Sequence, residues 1–216
     1  MWDPAVRTAI GKKLRGRSET DREALRVIDV LTVTHARSLD GVEACEGLRI
    51  LVLVGCELDT LERASELPSL GMVVVSDSVI KTIDHLAGLN LHTVHAERTE
   101  ILDLSPLLAC SGLVDVALSG SAISEDSYRS VISGLEAAGC DVTPPDAIER
   151  EVTARLRGRG LKMNCYRFGS GYRICRPGLM FTDRPEANHP EVDLDALRRM
   201  MDSDPEGVTA LFDRRA

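Results

Sequence analysis

Three groups of residues have types and spacing that could do chemistry. They are His92 and His95 with Glu97, the six cysteines, and a basic stretch with aromatic residues near the end of the sequence. His92-x-x-His95 followed by Glu97 is the nearest approach to a metal-ligand set. On a strand, side chains alternate between faces, so these two imidazoles would point apart and shared ligation is disfavoured. Cys45, Cys56, Cys110, Cys140, Cys165 and Cys175 include no C-x-x-C pair. The start of the sequence has no apolar segment of the kind that directs export, so these residues read as reduced thiols in a cytoplasm. Cys165 and Cys175 would lie opposite one another in a hairpin with a three-residue loop, close to bridging distance. A buried thiol pair is the simpler reading. Neither a G-x-S-x-G, a P-loop nor an H-E-x-x-H occurs, and Gly158 to Gly160 and Gly169 to Gly171 read as turns. His189 among Asp183, Glu186, Glu191 and Asp193 reads as a solvated loop cluster. The sequence thus offers no catalytic residue, no metal site and no cofactor.

Charge is unevenly placed. Residues 150–176 hold eight Lys/Arg against one acid, interleaved with Tyr166, Phe168 and Tyr172. Basic and aromatic residues together are what nucleic-acid contact needs, and Arg155, Arg157, Arg159 and Lys162 would make it. The competing use is internal, because residues 28–142 carry six Lys/Arg against eighteen Asp/Glu, a net −12. Docking of the basic stretch against that acidic region is favoured, since a chain of net charge −8 repels polyanions at range. Residues 1–27 carry a net +3, with Arg7, Lys12, Lys13, Arg15 and Arg17 forming a solvated face or, alternatively, a contact for nucleic acid or acidic lipid.

The elements that must position these residues announce themselves by repetition. Leu48, Leu51, Leu53, Cys56 and Leu58 set an L-x-x-L-x-L-x-x-C-x-L unit. It returns as Leu70, Val73, Val75, Ser78, Ile80, then as Leu91, Val94, Ala96, Thr99, Ile101, and then as Leu113, Val116, Leu118, Ser121, Ile123. The starts are 22, 21 and 22 residues apart. Ile28, Leu31, Val33 and Ala36 begin a degenerate entry unit whose last member, Leu39, comes one residue late. The stretch resembles a leucine-rich repeat, and its short period with the D-L-S-P-L return at Asp103 to Leu107 is most similar to the internalin-like bacterial subclass. That resemblance implies an α/β solenoid with parallel strands on its concave face, 3₁₀ or extended returns on the convex side, and a structural role for Cys56. It implies no catalytic residue.

Around the array the sequence predicts a helical N-terminal cap over 1–27, with Asp3 before Pro4 as the helix start. Repeats are expected over 28–143, with an edge strand at Cys140 to Thr143, and a small α+β C-terminal module over 144–216. The module should comprise a helix from Asp146 to about Arg157, a β-hairpin around Gly169-Ser170-Gly171, a loop from Asp183 to Val192, and short helices at Leu194 to Met201 and Pro205 to Phe212.

Between the inward residues lie positions that face outward on the concave side. There Ile50, Val52, Val54, Met72 and Val74 make an apolar patch that gives way to Thr93, His95, Glu97, Arg98 and Asp115. A patch of that kind is usually covered. Either the C-terminal module folds over it or a protein or peptide partner docks there, possible roles being inhibitor, immunity protein or adaptor. An enzyme or biosynthetic accessory factor with its site between repeats and module is the alternative from a different class. No run approaches the ~18 apolar residues of a membrane span, so no membrane partner is expected.

Overall fold

The computed structural model describes residues 1–178 and 189–212. Helix α1 (Pro4–Leu14) starts where Asp3 accepts hydrogen bonds from the Ala5 and Val6 amides, and it ends in the left-handed Arg15 and Gly16. Val6, Ile10 and Leu14 are its buried stripe. The second Asp3 oxygen accepts from the Arg37 and Ser38 amides, which ties the helix start to the first repeat. Helix α2 (Arg22–Arg26), capped by Asp21, completes the cover over the open end of the stack.

Six parallel strands follow in spatial order. They are β1 (Val30–Thr34), β2 (Ile50–Val54), β4 (Met72–Ser76), β6 (Thr93–Glu97), β7 (Asp115–Ala117) and β8 (Asp141–Thr143). Their register never slips: Leu31, Leu51, Val73, Val94, Val116 and Val142 pair across the whole sheet. Two short strands, β3 (Glu57–Leu58) and β5 (Val79–Ile80), form a second parallel ladder beside it. The returns are short 3₁₀ segments at Val42–Ala44, Glu62–Glu66, Asp84–Leu86 and Ser105–Ala109. The last return is longer, a π-helical turn at Ser127–Val131 running into α3 (Ile132–Ala137). This is a leucine-rich-repeat solenoid, and its layers are the repeated apolar residues of the sequence.

Polar members of the repeat hold adjacent turns together. The Ser78 hydroxyl accepts from the Cys56 amide and donates to the Ser76 carbonyl. Ser121 accepts from the Thr99 amide in the same way and donates to the Ala96 carbonyl. The Cys56 thiol donates to the carbonyls of Val33 and Val54. Ser78 and Ser121 thus satisfy the Cys56 and Thr99 amides, while the Val54 and Ser76 carbonyls also accept from the His35 and Gly55 amides of the adjacent turn.

Helix α4 (Ala147–Gly158) opens with a complete capping box, the Asp146 carboxylate and the Glu149 side chain each bonding the other's amide. Strands β9 (Asn164–Phe168), β10 (Gly171–Cys175) and β11 (Glu191–Val192) then form an antiparallel sheet, followed by α5 (Leu194–Ser203) and α6 (Pro205–Ala210). Two expectations are corrected here. The hairpin turns on two residues rather than three, because left-handed Gly169 (φ 59°) lets Phe168 pair with Gly171. That shifts the register by one residue, so Cys165 pairs with Ile174 and Cys175 with Asn164 instead of with each other. The end of the expected loop is also a strand, since Val192 pairs with Tyr172. Asp183 and Glu186 lie outside the described residues.

Two separate apolar cores result. One runs through cap and repeats; the other lies inside the C-terminal module, around Val152, Leu156, Cys165, Ile174, Leu197 and Met201.

Candidate functional site

The concave face presents three outward positions on each five-residue strand and two on β7 and β8. On β2 and β4 these are Ile50, Val52, Val54, Met72, Val74 and Ser76, all partly exposed. Their neighbours Leu51, Leu53, Val73 and Val75 are at most 2% exposed, so the two sides of one strand differ sharply. Thr93 on β6 is buried at 8% exposure, while His95, Glu97 and, on β7, Asp115 are partly open. His95 Nε2 lies 2.7 Å from Asp115 Oδ2 across the strand pair. This partnership orients both side chains, while His92 sits outside the strand with Nδ1 3.3 Å from the Thr93 hydroxyl.

Arg98 lies elsewhere than its sequence position suggests. It follows the end of β6 in a left-handed conformation (φ 54°), as do His35, Gly55, Asp77 and Gly120 at the same place in their own repeats. This row forms a rim along the strand ends. A left-handed turn suits Gly and is tolerated by Asp, but it is unfavourable for Arg. Here the side chains tie the turns down: Arg98 Nε and Nη2 donate to the two oxygens of Asp77 at 2.9 and 3.2 Å, and Nη1 donates to Glu97 at 3.1 Å.

The C-terminal module docks on that rim through polar groups. Asn164 Nδ2 donates to the Thr99 carbonyl at 2.8 Å, and the Gly178 amide donates to the Asp77 carbonyl at 2.7 Å. Buried Glu149 accepts from the Ser119 hydroxyl and the Gly120 amide, besides its own cap and the Arg167 amide. His189 places Nε2 3.2 Å from Asp77 and Nδ1 2.7 Å from the Tyr166 hydroxyl. The Tyr166 ring lies under Arg98, 5.3 Å from its guanidinium, and packs on Gly120, where an added Cβ would approach the Tyr166 Cβ to 2.6 Å. Gly120 is therefore required by this close approach, since the same backbone angle carries side chains at His35, Asp77 and Arg98.

Burial works to raise the Asp77 carboxyl, but hydrogen bonds from His189 and Arg98 outweigh it and hold it below the ordinary carboxylate range. Burial pushes the Tyr166 hydroxyl up to about 12, so it stays protonated. Burial likewise pushes the Cys45 thiol to about 11 and that of Cys165 to about 12. All six cysteines are buried free thiols. None of these three groups is a nucleophile near neutral pH.

The basic stretch is largely spent inside the molecule. Arg155 and Arg159 both pair with Asp202, and Arg157 bridges to Glu100 of the array at 3.0 Å and to Asn164 at 2.9 Å. Arg150 stacks over Tyr128 at 3.6 Å. Lys162 remains exposed, lining an open groove with Glu57, Asp59, Lys81 and Glu100.

The rim residues Asp77, Gly120, Glu149, Asn164 and His189 were not legible as a set. Glu149 alone carried a signal, as the third helical residue after an Asp cap. Among the described residues, no group of three His, Cys, Asp or Glu side chains is arranged to hold a metal ion, and no helix is long and apolar enough to cross a membrane.

No protein-family model matches the chain, and no curated protein matches it. Among solved structures it is similar to an internalin (inlF) from Listeria monocytogenes, at 15% identity and a TM-score of 0.38, over 71% of this chain and 60% of that one. It is also similar to internalin C2 from the same organism, at 19% identity and a TM-score of 0.32, over 67% of this chain and 87% of that one. The chain thus spans less than two thirds of the first of these. Nothing about function follows from likenesses at this level.

Proposed function

We propose that the chain is a protein-interaction module that presents its concave strand face, from Ile50 and Val52 to His95 and Asp115, to a protein or peptide partner. The observation that carries this reading is the partly exposed aliphatic strip of Ile50, Val52, Val54, Met72 and Val74. The bonds that join the C-terminal module to the array fall along the rim at Asp77, Thr99, Glu100 and Gly120, and beside it at Ser119, the equivalent of Ser76 and Glu97, away from the aliphatic strip. Covering five partly exposed aliphatic side chains would supply at most roughly 1 kcal/mol each, a contribution to association beside its entropic cost. The roles of inhibitor, immunity protein and adaptor all belong to this reading, as does residence in the reducing compartment that suits six free thiols. Thr93, Glu97 and Arg98 would border the contact and contribute to specificity.

Affinity purification from the native cell, with Val52→Asp and Val74→Asp run in parallel, tests it. A partner retained by the wild type and lost from both variants, with unfolding curves unchanged, supports the reading. Retention of the same partner by both variants removes the concave face from it.

A further inference from the structure

The concave face is graded in charge from one edge to the other. At the cap edge, α1 runs alongside β1, and an open groove between them is lined by Thr8, Lys12, Lys13, Thr32, Thr34 and His35. Lys12 and Lys13 are exposed, and among the described residues no acid lines this groove. Lys13 instead acts from a distance on Asp29, whose carboxylate is bonded to Arg49. In the middle, the outward positions of β2 and β4 carry no charge at all: Ile50, Val52, Val54, Met72, Val74 and Ser76. At the far edge, Glu97, Asp115 and Asp141 gather on three adjacent strands, with Asp115 and Asp141 directly paired in register. Burial, then Asp115 and Asp141, together raise the neighbouring Cys140 thiol, so both carboxylates are felt at that edge. His95 is bonded to Asp115, and Arg98 to Asp77 and Glu97, which leaves exposed Asp141 as the acid there with most to gain from a cation.

We infer that this face takes a peptide segment of mixed charge, acidic at the end lying over Lys12 and Lys13, apolar where it crosses β2 and β4, and basic at the end lying over Glu97, Asp115 and Asp141. This rests on the concave-face reading above and adds the chemistry of the occupant. Six strands at about 4.8 Å spacing span about 24 Å from β1 to β8, the reach of roughly seven extended residues or a helix of about sixteen, and a segment that also meets Lys12 and Lys13 on α1 is longer than that span. The order of charges on the segment is fixed by the gradient, whichever way its chain runs. A segment acidic at both ends would meet Asp115 and Asp141 with like charge, and one basic at both ends would meet Lys12 and Lys13. Like-charge contacts of this kind reject wrong partners more effectively than they lower affinity for the right one.

The test is selection of a displayed library of random sixteen-residue peptides against the full chain, followed by affinity measurement of the enriched peptides on variants. Enriched peptides should carry Asp or Glu on one side of an apolar centre and Lys or Arg on the other. They should bind Lys12→Gln/Lys13→Gln at least threefold more weakly, and Lys12→Glu/Lys13→Glu at least tenfold more weakly. Selection against the Glu variant should replace the acidic flank with a basic one. Both lysines are exposed, so neither pair of substitutions disturbs the core, and an unchanged unfolding curve checks this. Peptides that are lost on Val74→Asp yet indifferent to Lys12 and Lys13 overturn the gradient while leaving the concave-face reading standing. Peptides that survive Val74→Asp overturn the concave-face reading itself. Enrichment of no peptide at all counts against both.

Discussion

The repeat array and its joint with the C-terminal module are held together by opposite means. Within the array, Leu31, Leu51, Leu53 and Val73 are 0% exposed and Val75, Val94 and Ala96 2%, and they stack as continuous apolar layers. At the joint, no apolar layer continues from one core into the other, and contact is made by Asp77, Arg98, Asn164, Glu149 and His189. An apolar stack is tolerant, since any aliphatic residue of suitable volume contributes through area removed from water. A buried polar joint is exacting, since each group is costly unless its partner is in place. The difference lets polar bonds hold the module on the rim while the aliphatic strip of β2 and β4 beside it remains partly exposed.

The largest effect should come from breaking the joint at its centre. Asp77→Ala leaves the Arg98 guanidinium and His189 without their shared carboxylate, a loss of about 3–5 kcal/mol for a buried pair missing one member. Limited proteolysis should show module cleavage first, with the array still resistant; simultaneous loss of both would mean that they fold as one unit. Leu53→Ala should cost about 2–5 kcal/mol in the stack instead, measured by denaturant unfolding, and its effect should be insensitive to salt.

Acid should separate the two regions as well. The folded-state pKa of Asp77 is depressed, so its contribution is complete above the unfolded value of about 3.9 and is lost as pH falls through the lower folded value. Proteolysis of the module should therefore increase below about pH 4 before far-ultraviolet circular dichroism reports loss of the array. Asp77→Asn should flatten that dependence. If array and module respond at the same pH in wild type and variant, Asp77 is not the controlling group.

Most of the array was legible because its signal is redundant. Four units repeat one set of offsets, and every strand inherits its register from them. The module lacked that redundancy. Its hairpin register turned on whether Gly171 belonged to the loop or to the strand, and one residue decided the position of both Cys165 and Cys175. The outward positions of the concave strip, His95 and Asp115 among them, could be read from strand alternation together with the repeat resemblance. The rim could not, because Asp77 and Arg98 occupy a place where Gly55 and Gly120 suggest only a turn. Their importance depends on contacts with Tyr166 and His189, which lie far along the chain and belong to no repeat.

A smaller effect sharpens the same contrast inside the module. Asp146→Ala removes the cap of α4 and the bonds that Asp146 accepts from Arg167 and Tyr172, and should cost about 1 kcal/mol. It should also loosen Glu149, the capping partner that bonds the rim, so the loss should appear as faster amide exchange at Gly120 while exchange at Leu53 is unchanged.

Val74 and Val75 are adjacent on β4 and point to opposite faces, one partly open and the other 2% exposed. Denaturant unfolding of Val74→Asp beside Val75→Asp therefore asks directly whether the concave face is open. The expected result is a loss of about 1 kcal/mol or less for Val74→Asp and more than about 4 kcal/mol for Val75→Asp, the cost of an unpaired buried charge. Equal, large losses at both positions would mean that the concave face is covered by the chain itself and is not the surface it offers to a partner.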